Sequence, residues 1–354
     1  MSSDDTTAIF TGACPAPIAQ TPRILMGHGS GGRLTAKLID ELIVPSFRNP
    51  LLEPLDDSAI LAPGARRIAF TTDSYVVTPI FFPGGDIGEL AVNGTVNDLV
   101  VSGARPIALS LAFILEEGFP LQDFERVVGS VKRAAEAAGV RVATGDTKVV
   151  GKGCADKVFI NTSGIGEVPD GLELSSRRVR AGDAVLLSGT IGDHGVAILS
   201  CREGLEFGGA IASDTAPLTS LVQGVLTSCR DVHAMRDPTR GGVASTLVEI
   251  ASRQQLGIEI DEACVPVRDV VRGACEMLGL DPLLVANEGK VIVFLPEEQA
   301  DAALAAMRGH PLGRDAARIG HVTREHAGEV LVRTPIGGTR VLQLPYSEML
   351  PRIC

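Results

Sequence analysis

Short apolar runs alternate with helical segments along this chain, and the alternation occurs twice. In the first half, residues 67–73 and 106–115 are typical of strands, whereas residues 87–101 and 121–138 are typical of helices. The second half begins near residue 177 and follows the same scheme. Because 354 residues are too many for one ordinary domain, this pattern predicts an α+β fold in two domains.

The predicted organisation has four segments. Residues 1–22 are expected to be a mobile N-terminal extension, because prolines interrupt them and no hydrophobic period is visible. Residues 23–170 and 171–333 are expected to form the two α/β domains. Residues 334–354 are expected to be a flexible tail, in which prolines keep the chain extended.

Local patterns predict where several elements end. The helix that begins at Arg33 is expected to stop at Pro45. The strand of residues 67–73 is expected to end on Asp73, and a strand at residues 140–143 is expected to lead into the glycine-containing segment 144–148. These endings would place acidic side chains at the edges of strands.

Composition excludes several classes of function. Aromatic residues make up 4% of the chain, and none is Trp, so rings for stacking on single-stranded nucleic acid are scarce. The 32 basic and 43 acidic residues give a net charge of −11 without any basic cluster, which indicates that neither DNA nor RNA is a partner. With no apolar run near the roughly 18 residues of a membrane span and no signal-peptide pattern, we expect a cytoplasmic protein that does not bind membranes.

Cysteine spacing is the next constraint. The seven cysteines include no Cys-x-x-Cys pair, which favours reduced thiols over a disulfide framework or a structural zinc site. Cys354 is the last residue of the sequence. Two interpretations stay open from the chemistry alone: a nucleophile or carrier on a swinging tail, or a terminal residue without a role.

Glycine is enriched, at 40 residues of 354, compared with a usual share of about 7%. The glycines lie in short clusters beside Asp, Asn and Thr, where a chain can approach phosphate or metal closely. Four acids, Asp57, Asp73, Asp98 and Asp146, lie at predicted element boundaries. Carboxylates are the ligands that Mg²⁺ prefers, so these acids together predict a metal–phosphate site, although any single one is more typical of a helix cap than of a ligand.

Three further loops are candidates for phosphate contact. Gly27–Gly32 matches the G-x-G-x-x-G pattern before a helix, but prolines follow where a Rossmann unit needs its second strand, so a mobile glycine loop over a nucleotide is the preferred interpretation. Two loops of the second half, around His194 and Arg240, each open a predicted helix. A separate segment of the second half places Glu288 near the start of a strand.

Together these motifs resemble the HypE family of carbamoyl dehydratases, which act in the maturation of NiFe-hydrogenase. The resemblance covers nearly the whole chain from residue 23, and the Pro-Arg-Ile-Cys ending is its specific part. The matching motifs are Gly29-Ser30-Gly31-Gly32, Asp57-Ser58-Ala59, Thr72-Asp73, Gly94-Thr95-Val96-Asn97-Asp98, Thr144-Gly145-Asp146-Thr147-Lys148, Asp193-His194-Gly195, Asp237-Pro238-Thr239-Arg240, Asn287-Glu288-Gly289-Lys290 and Pro351-Arg352-Ile353-Cys354.

The resemblance implies a fold and a reaction. Each half would be an α/β sandwich of the aminoimidazole ribonucleotide synthetase type, and the N-terminal halves of a homodimer would form a β-barrel. A HypF-like carbamoyltransferase would load Cys354, and ATP with Mg²⁺ would drive dehydration of the carbamoyl group to a thiocyanate. An iron-carrying complex similar to HypC–HypD would then accept the cyano group.

The resemblance also distributes roles over the motifs. Asp57, Asp73, Asp98 and Asp146 would hold Mg²⁺. Cys354 would carry the substrate, Lys148 and Arg240 would act as cationic clamps, and Glu288 would be the general base with His194 as second choice. Cofactor contacts would come from Gly29, Ser30, Gly31, Gly32, Asn97, Thr144, Gly145, Thr147 and Asp237.

Two other functions remain possible from the sequence. A selenophosphate synthetase of the same superfamily would need a reactive Cys or selenocysteine near the N-terminal glycine loop, whereas Cys14 precedes Gly27 in a proline-rich stretch. A non-catalytic dimeric scaffold for hydrogenase maturation would bind no nucleotide. Calorimetry with Mg-ATP separates the scaffold from both enzymes.

Overall fold

The computed structural model describes residues 32–64, 66–205, 211–345 and 352–354. Within them, the α-helices are α1 Arg33–Leu38, α2 Val44–Phe47, α3 Ile87–Val101, α4 Leu121–Ala138, α5 Asp193–Glu203, α6 Thr219–Ser228, α7 Gly242–Gln254, α8 Asp269–Leu278 and α9 Ala300–Arg308. The strands are β1 Ala59–Leu61, β2 Arg67–Tyr75, β3 Phe81–Phe82, β4 Gly85–Asp86, β5 Arg105–Glu116, β6 Arg141–Val150, β7 Val158–Val168, β8 Asp183–Leu187, β9 Ala234–Arg236, β10 Gly257–Asp261, β11 Ile292–Pro296, β12 Ala317–Thr323, β13 Val330–Arg333 and β14 Thr339–Val341.

The first half is built on a five-stranded sheet in the order β1-β2-β7-β5-β6. Its pairs are antiparallel except β5 with β6. Helix α3 packs on β2 and β7, and α4 packs on α3. Asp86 begins α3 because its side chain accepts hydrogen bonds from the amides of Gly88 and Glu89. Helix α4 ends at Gly139, whose left-handed backbone (φ 70°) is inexpensive only for glycine.

The second half is built on a seven-stranded sheet in the order β14-β13-β10-β12-β8-β11-β9. Strand β8 is buried along its whole length, because α7 contributes to the core on one face and α6 and α9 to the core on the other. The core that contains α6 and α9 also includes Val92 and Val96 of α3. One continuous apolar core therefore joins the two halves.

Helices α3 and α4 have the bounds that the sequence predicts, so these predictions are confirmed. Three other predictions are wrong. Helical structure continues past Pro45 to Phe47, through a π-helical turn at Ile39–Ile43. Strand β2 continues past Asp73 to Tyr75, and β6 continues through the whole glycine-containing segment to Val150.

Pairing with β5 explains the long β6. Gly145 pairs with Leu111 there, and a Cβ atom on Gly145 would lie 2.2 Å from the Leu111 carbonyl oxygen. The glycine therefore permits close approach of two strands, where the sequence pattern suggested a loop. Strand β6 is also the edge of the sheet and is exposed except at Val150, so this sheet is open within the described part of one chain.

The predicted boundaries at residues 22, 170 and 333 stay predictions, and residues 1–22 lie outside the described residues. None of the described helices combines the length and the apolar character needed to cross a membrane. The cysteines of the described ranges are free thiols.

Candidate active site

Three carboxylates from distant parts of the chain meet between the two halves. Asp57 precedes β1, Asp98 lies on α3, and Asp237 follows β9. One oxygen atom of each lies within 4.8 Å of the others. Asp98 accepts a hydrogen bond from Thr71 Oγ1 at 2.7 Å, and Arg236 Nε lies 2.6 Å from Asp57 Oδ2. The cluster is thus held in place from both halves.

The acids of this cluster resist ionisation. Burial raises the pKa of Asp57 well above its usual range, although Arg236 opposes the shift. Burial and then Asp73 raise the pKa of Asp98. Burial also raises the pKa of Asp237 to about 6, against the attraction of Arg236. Close carboxylates in a dry site with one nearby arginine are short of positive charge, and oxygen donors of this kind fit Mg²⁺.

Asp73 lies beside the cluster on β2. Its Oδ2 atom lies 3.3 Å from the Tyr75 hydroxyl and 3.4 Å from Thr95 Oγ1, and both hydroxyls donate to it. Burial, and then the charge of Asp73, raise the pKa of Tyr75 well above its usual value. Tyr75 therefore stays a neutral hydrogen-bond donor, and it was absent from the residues singled out in the sequence.

The C-terminal residues are docked against the segment that follows β2. The amide of Val76 donates to the Cys354 carbonyl oxygen at 3.1 Å, and the amide of Thr78 donates to that of Arg352 at 3.3 Å. Arg352 Nη1 donates to Asp156 Oδ2 at 2.9 Å. Ile353 is 4% exposed and packs in an apolar cluster that includes Phe82. Backbone, charge and side-chain burial all hold this end of the chain.

Arg202 on α5 adds a second polar clamp to the tail. Its Nε donates to the carbonyl oxygen of Thr78 at 2.5 Å, and its Nη2 donates to that of Arg352. Arg202 and Asp156 had no recognisable signal in the sequence, because they contact the tail only after tertiary folding.

His194 forms a hydrogen bond to the backbone of the tail. Its Nε2 atom lies 2.8 Å from the Ile353 carbonyl oxygen, which can only accept, so Nε2 carries the hydrogen. Burial lowers the pKa of His194, and the neutral ring therefore accepts at Nδ1 from Ser213 Oγ, 2.8 Å away. His194 therefore positions the tail in this arrangement, with Nε2 bonded to Ile353 and Nδ1 bonded to Ser213.

Glu288 is the buried acid whose environment best suits a general base. Burial raises its pKa well above the usual range, followed by the charges of Asp214 and Asp237, while Arg240 opposes the shift. Among the described residues, no hydrogen-bond partner satisfies Glu288 Oε1. A buried carboxyl oxygen without a partner is costly, and it is suited to a ligand N–H group.

Cys354 and Glu288 both interact electrostatically with Arg240. The negative charge at Cys354 is the largest influence on Arg240 and raises its pKa, followed among the charges by Asp73 and Glu288. Arg240 itself is exposed to solvent. The structure therefore brings Cys354, Arg240, Glu288 and the acid cluster together.

A buried ion pair holds the backbone of Glu288 in place. Lys290 Nζ lies 2.9 Å from Asp214 Oδ2, and Asp214 Oδ1 accepts from the Glu288 amide at 3.1 Å. Lys290 was visible in the sequence as part of the Asn287–Lys290 motif, whereas Asp214 gave no signal.

Other predicted residues lie elsewhere in the chain. Asp146 and Lys148 are exposed on β6 and contact each other at 2.8 Å. Three strand spacings of about 4.8 Å separate β6 from β2, so one chain does not bring Asp146 to the ion site of the clustered acids. Thr144, Gly145 and Thr147 lie on the same exposed strand.

Asn97 forms hydrogen bonds that connect the two halves of the chain. Its Nδ2 donates to the carbonyl oxygens of Ala216 and Glu288 at 3.0 and 3.2 Å, and its Oδ1 accepts from the Leu218 amide at 2.8 Å. The side chain therefore joins the two halves. Gly32 is buried at the start of α1, and Gly29, Ser30 and Gly31 lie outside the described residues.

Two sandwiched α+β halves with buried carboxylates between them define a protein related to AIR synthase. Residues 55–168 match the N-terminal domain of AIR synthase related proteins, and residues 180–333 match the C-terminal domain. A carbamoyl dehydratase HypE of Cupriavidus necator is 54% identical over 333 residues, which are 94% of this chain and 95% of that protein. The chain belongs to the carbamoyl dehydratase HypE family.

Solved structures agree with this assignment. A hydrogenase maturation protein HypE in complex with ATP is 51% identical, with a TM-score of 0.79 over 94% of this chain and 100% of that chain. A HypE–HypF complex contains a chain that is 46% identical, with a TM-score of 0.83 over 87% of this chain and 99% of that one.

Proposed function

We propose that the chain is an ATP-dependent dehydratase that converts a carbamoyl group on the Cys354 thiol to a thiocyanate, which supplies cyanide ligands for NiFe-hydrogenase. The observation that carries the proposal is the docked C-terminal Cys, which lies near Glu288 and Arg240 in a site with clustered carboxylates. The names of the relatives, and the ATP complex of one of them, support the same reaction.

The acidic residues of the site would have two roles, metal binding and proton transfer. Asp57, Asp98 and Asp237 would hold Mg²⁺. Mg-ATP, when bound, would supply a phosphoryl group to the carbamoyl oxygen, so that this oxygen could leave as phosphate, and Mg²⁺ would neutralise charge on the transferred group. Two protons must leave the carbamoyl nitrogen before it is triply bonded to carbon. Glu288 has the raised pKa and the unpartnered oxygen that suit a general base for these protons.

The remaining groups position the tail. Arg240 balances negative charge at Cys354, while His194 and Arg202 fix the backbone at Ile353 and Arg352. Burial of Ile353 among apolar side chains removes water from this part of the site, which protects a reactive group from hydrolysis. The tail must also leave the site to be loaded, so we propose that it alternates between this docked state and a released, flexible one.

Partners follow from the same reaction. A HypF-like carbamoyltransferase would load Cys354, in keeping with the HypE–HypF complex of a relative. An iron-carrying complex similar to HypC–HypD would accept the cyano group, since the product on Cys354 must be passed on.

We further propose a homodimer in which the open sheets of two chains close into a barrel. Among the described residues, no strand pairs with the outer edge of β6, and the sheet exposes large apolar side chains, among them Phe70, Ile114 and Ile165. Such surfaces rarely stay uncovered. A second copy would also give Asp146, Lys148 and the polar residues of β6 a place near a shared site. Ile165→Arg should give a monomer in light scattering, whereas an unchanged dimer would exclude this sheet as the interface.

Mass spectrometry tests the reaction. After incubation with a carbamoyl-loaded transferase and ATP, the C-terminal peptide should carry a cyano group on Cys354. Cys354→Ala should abolish the modification, and Cys201→Ala, which removes a solvent-exposed thiol elsewhere in the chain, should leave it intact. Modification that persists in Cys354→Ala would refute the proposal, as would calorimetry in which Mg-ATP does not bind.

A further inference from the structure

A second group of metal-ligating side chains lies on the seven-stranded sheet, apart from the tail and the acid cluster. Glu259 on β10 and His321 on β12 are directly opposite each other in the antiparallel pair. Their side chains point to the same face, and His321 Nε2 lies 3.8 Å from Glu259 Oε2. Both are partly exposed, at 47% for His321 and 40% for Glu259, so an ion in solution can reach them.

The turn after β12 brings two more donors to Glu259, which is shared between this turn and the contact with His321. One donor atom each from Glu259, Glu325 and His326 lies within 4.8 Å of the others. The turn is fixed against β10, because the amide of Gly328 donates to the Leu256 carbonyl oxygen at 2.9 Å. The four donors therefore come from two adjacent strands and one anchored turn.

The neighbouring arginines pair with other acids, so the Glu259 and Glu325 carboxylates remain available to bind a metal ion. Arg318 and Arg333, which line the same cavity, contact Glu297 and Asp261, respectively. Among the described residues, Glu325 forms no ion pair and Glu259 pairs only with His321. The face is also concave, since Glu259, His321 and His326 line a cavity of about 780 Å³.

We propose that Glu259, His321, Glu325 and His326 bind one divalent transition metal ion, of which Zn²⁺ is the reference. Two imidazole nitrogens with two carboxylate oxygens suit a borderline metal, whereas Mg²⁺ prefers oxygen ligands alone. Tetrahedral Zn²⁺ with bonds of about 2.1 Å separates its ligand atoms by about 3.4 Å. Binding requires these side chains to rotate until their donor atoms reach that separation, and the bound ion would tie the turn to the sheet.

Equilibrium dialysis of the full chain with Zn²⁺, in excess Mg²⁺ to occupy the acid cluster, tests the proposal. We expect one Zn²⁺ per chain. The double variant His321→Ala/His326→Ala should bind at least about 100-fold more weakly, because losing two ligands exceeds the roughly 10–100-fold effect of outer partners. The matched control His310→Ala, which removes a histidine outside this group that contacts Ser220, should bind as the wild type does.

Cobalt substitution identifies the ligands. Co²⁺ at this site should give visible d–d bands without the near-ultraviolet charge-transfer band of thiolate ligation. Glu259→Gln keeps the size of the side chain and should weaken binding at least about 10-fold even where the double variant fails to fold. Absence of stoichiometric Zn²⁺ binding, affinity unchanged in Glu259→Gln, or a thiolate band would overturn the proposal.

Discussion

Replacing Asp237 by Asn isolates the electrostatic strain in the acid cluster. Asp237 is buried within the group that it forms with Asp57 and Asp98. Burial raises its pKa from 3.8 to about 6, although Arg236 opposes the shift. The ionised carboxylate therefore destabilises the folded chain, and an amide of the same shape removes that charge.

The magnitude follows from the pKa. Each unit corresponds to about 1.4 kcal/mol, so ionised Asp237 disfavours folding by about 3 kcal/mol. The folded pKa is higher than the unfolded one, and the folded chain therefore loses this stability as pH rises from 3.8 to about 6. Asp237→Asn should be more stable than the wild type by up to about 3 kcal/mol at pH 8, and the difference should nearly vanish at pH 4.

Thermal and denaturant unfolding at both pH values, with and without Mg²⁺, measure this effect. Mg²⁺ should stabilise the wild type and should stabilise Asp237→Asn much less, because the variant has lost one ligand. Asp170→Asn, at an exposed position, is the control and should change little. A variant that is less stable than the wild type at pH 8 would show that Arg236 outweighs burial, and the reasoning would be refuted.

Two further predictions concern the base and the tail. Glu288→Gln should lower turnover by about 10²–10⁴-fold. The wild-type rate should fall as pH drops through the raised pKa of Glu288, because the protonated carboxyl cannot accept a proton. A wild-type pH–rate profile without this decrease at low pH would argue against Glu288 as the base. Asp156→Ala removes the partner of Arg352, a pair with side chains 40% and 25% exposed. Because such a pair contributes about 1 kcal/mol, alkylation of Cys354, mapped by mass spectrometry, should be about fivefold faster. Asp170→Ala is the control, and an unchanged rate in Asp156→Ala would show that the pair does not hold the tail.

The sequence by itself determined the class of the fold and most of the chemistry. Hydrophobic period and capping are local properties, so α3 and α4 were predictable to the residue. The residue types of short motifs are also local, which is why Asp57, Asp98 and Cys354 were identifiable before their neighbours were known. The family resemblance rests on the same motifs and is confirmed by the relatives.

Only the tertiary structure decided which of these residues meet. Strand β6 continues through Asp146 because β5 pairs with it over that stretch, and this partner is invisible to a local pattern. Asp237 joins Asp57 and Asp98 because one apolar core holds the two halves together. Contacts between residues far apart in sequence depend on packing, so the docked tail, the clamp by Arg202 and the protonation of His194 became known only from the folded chain.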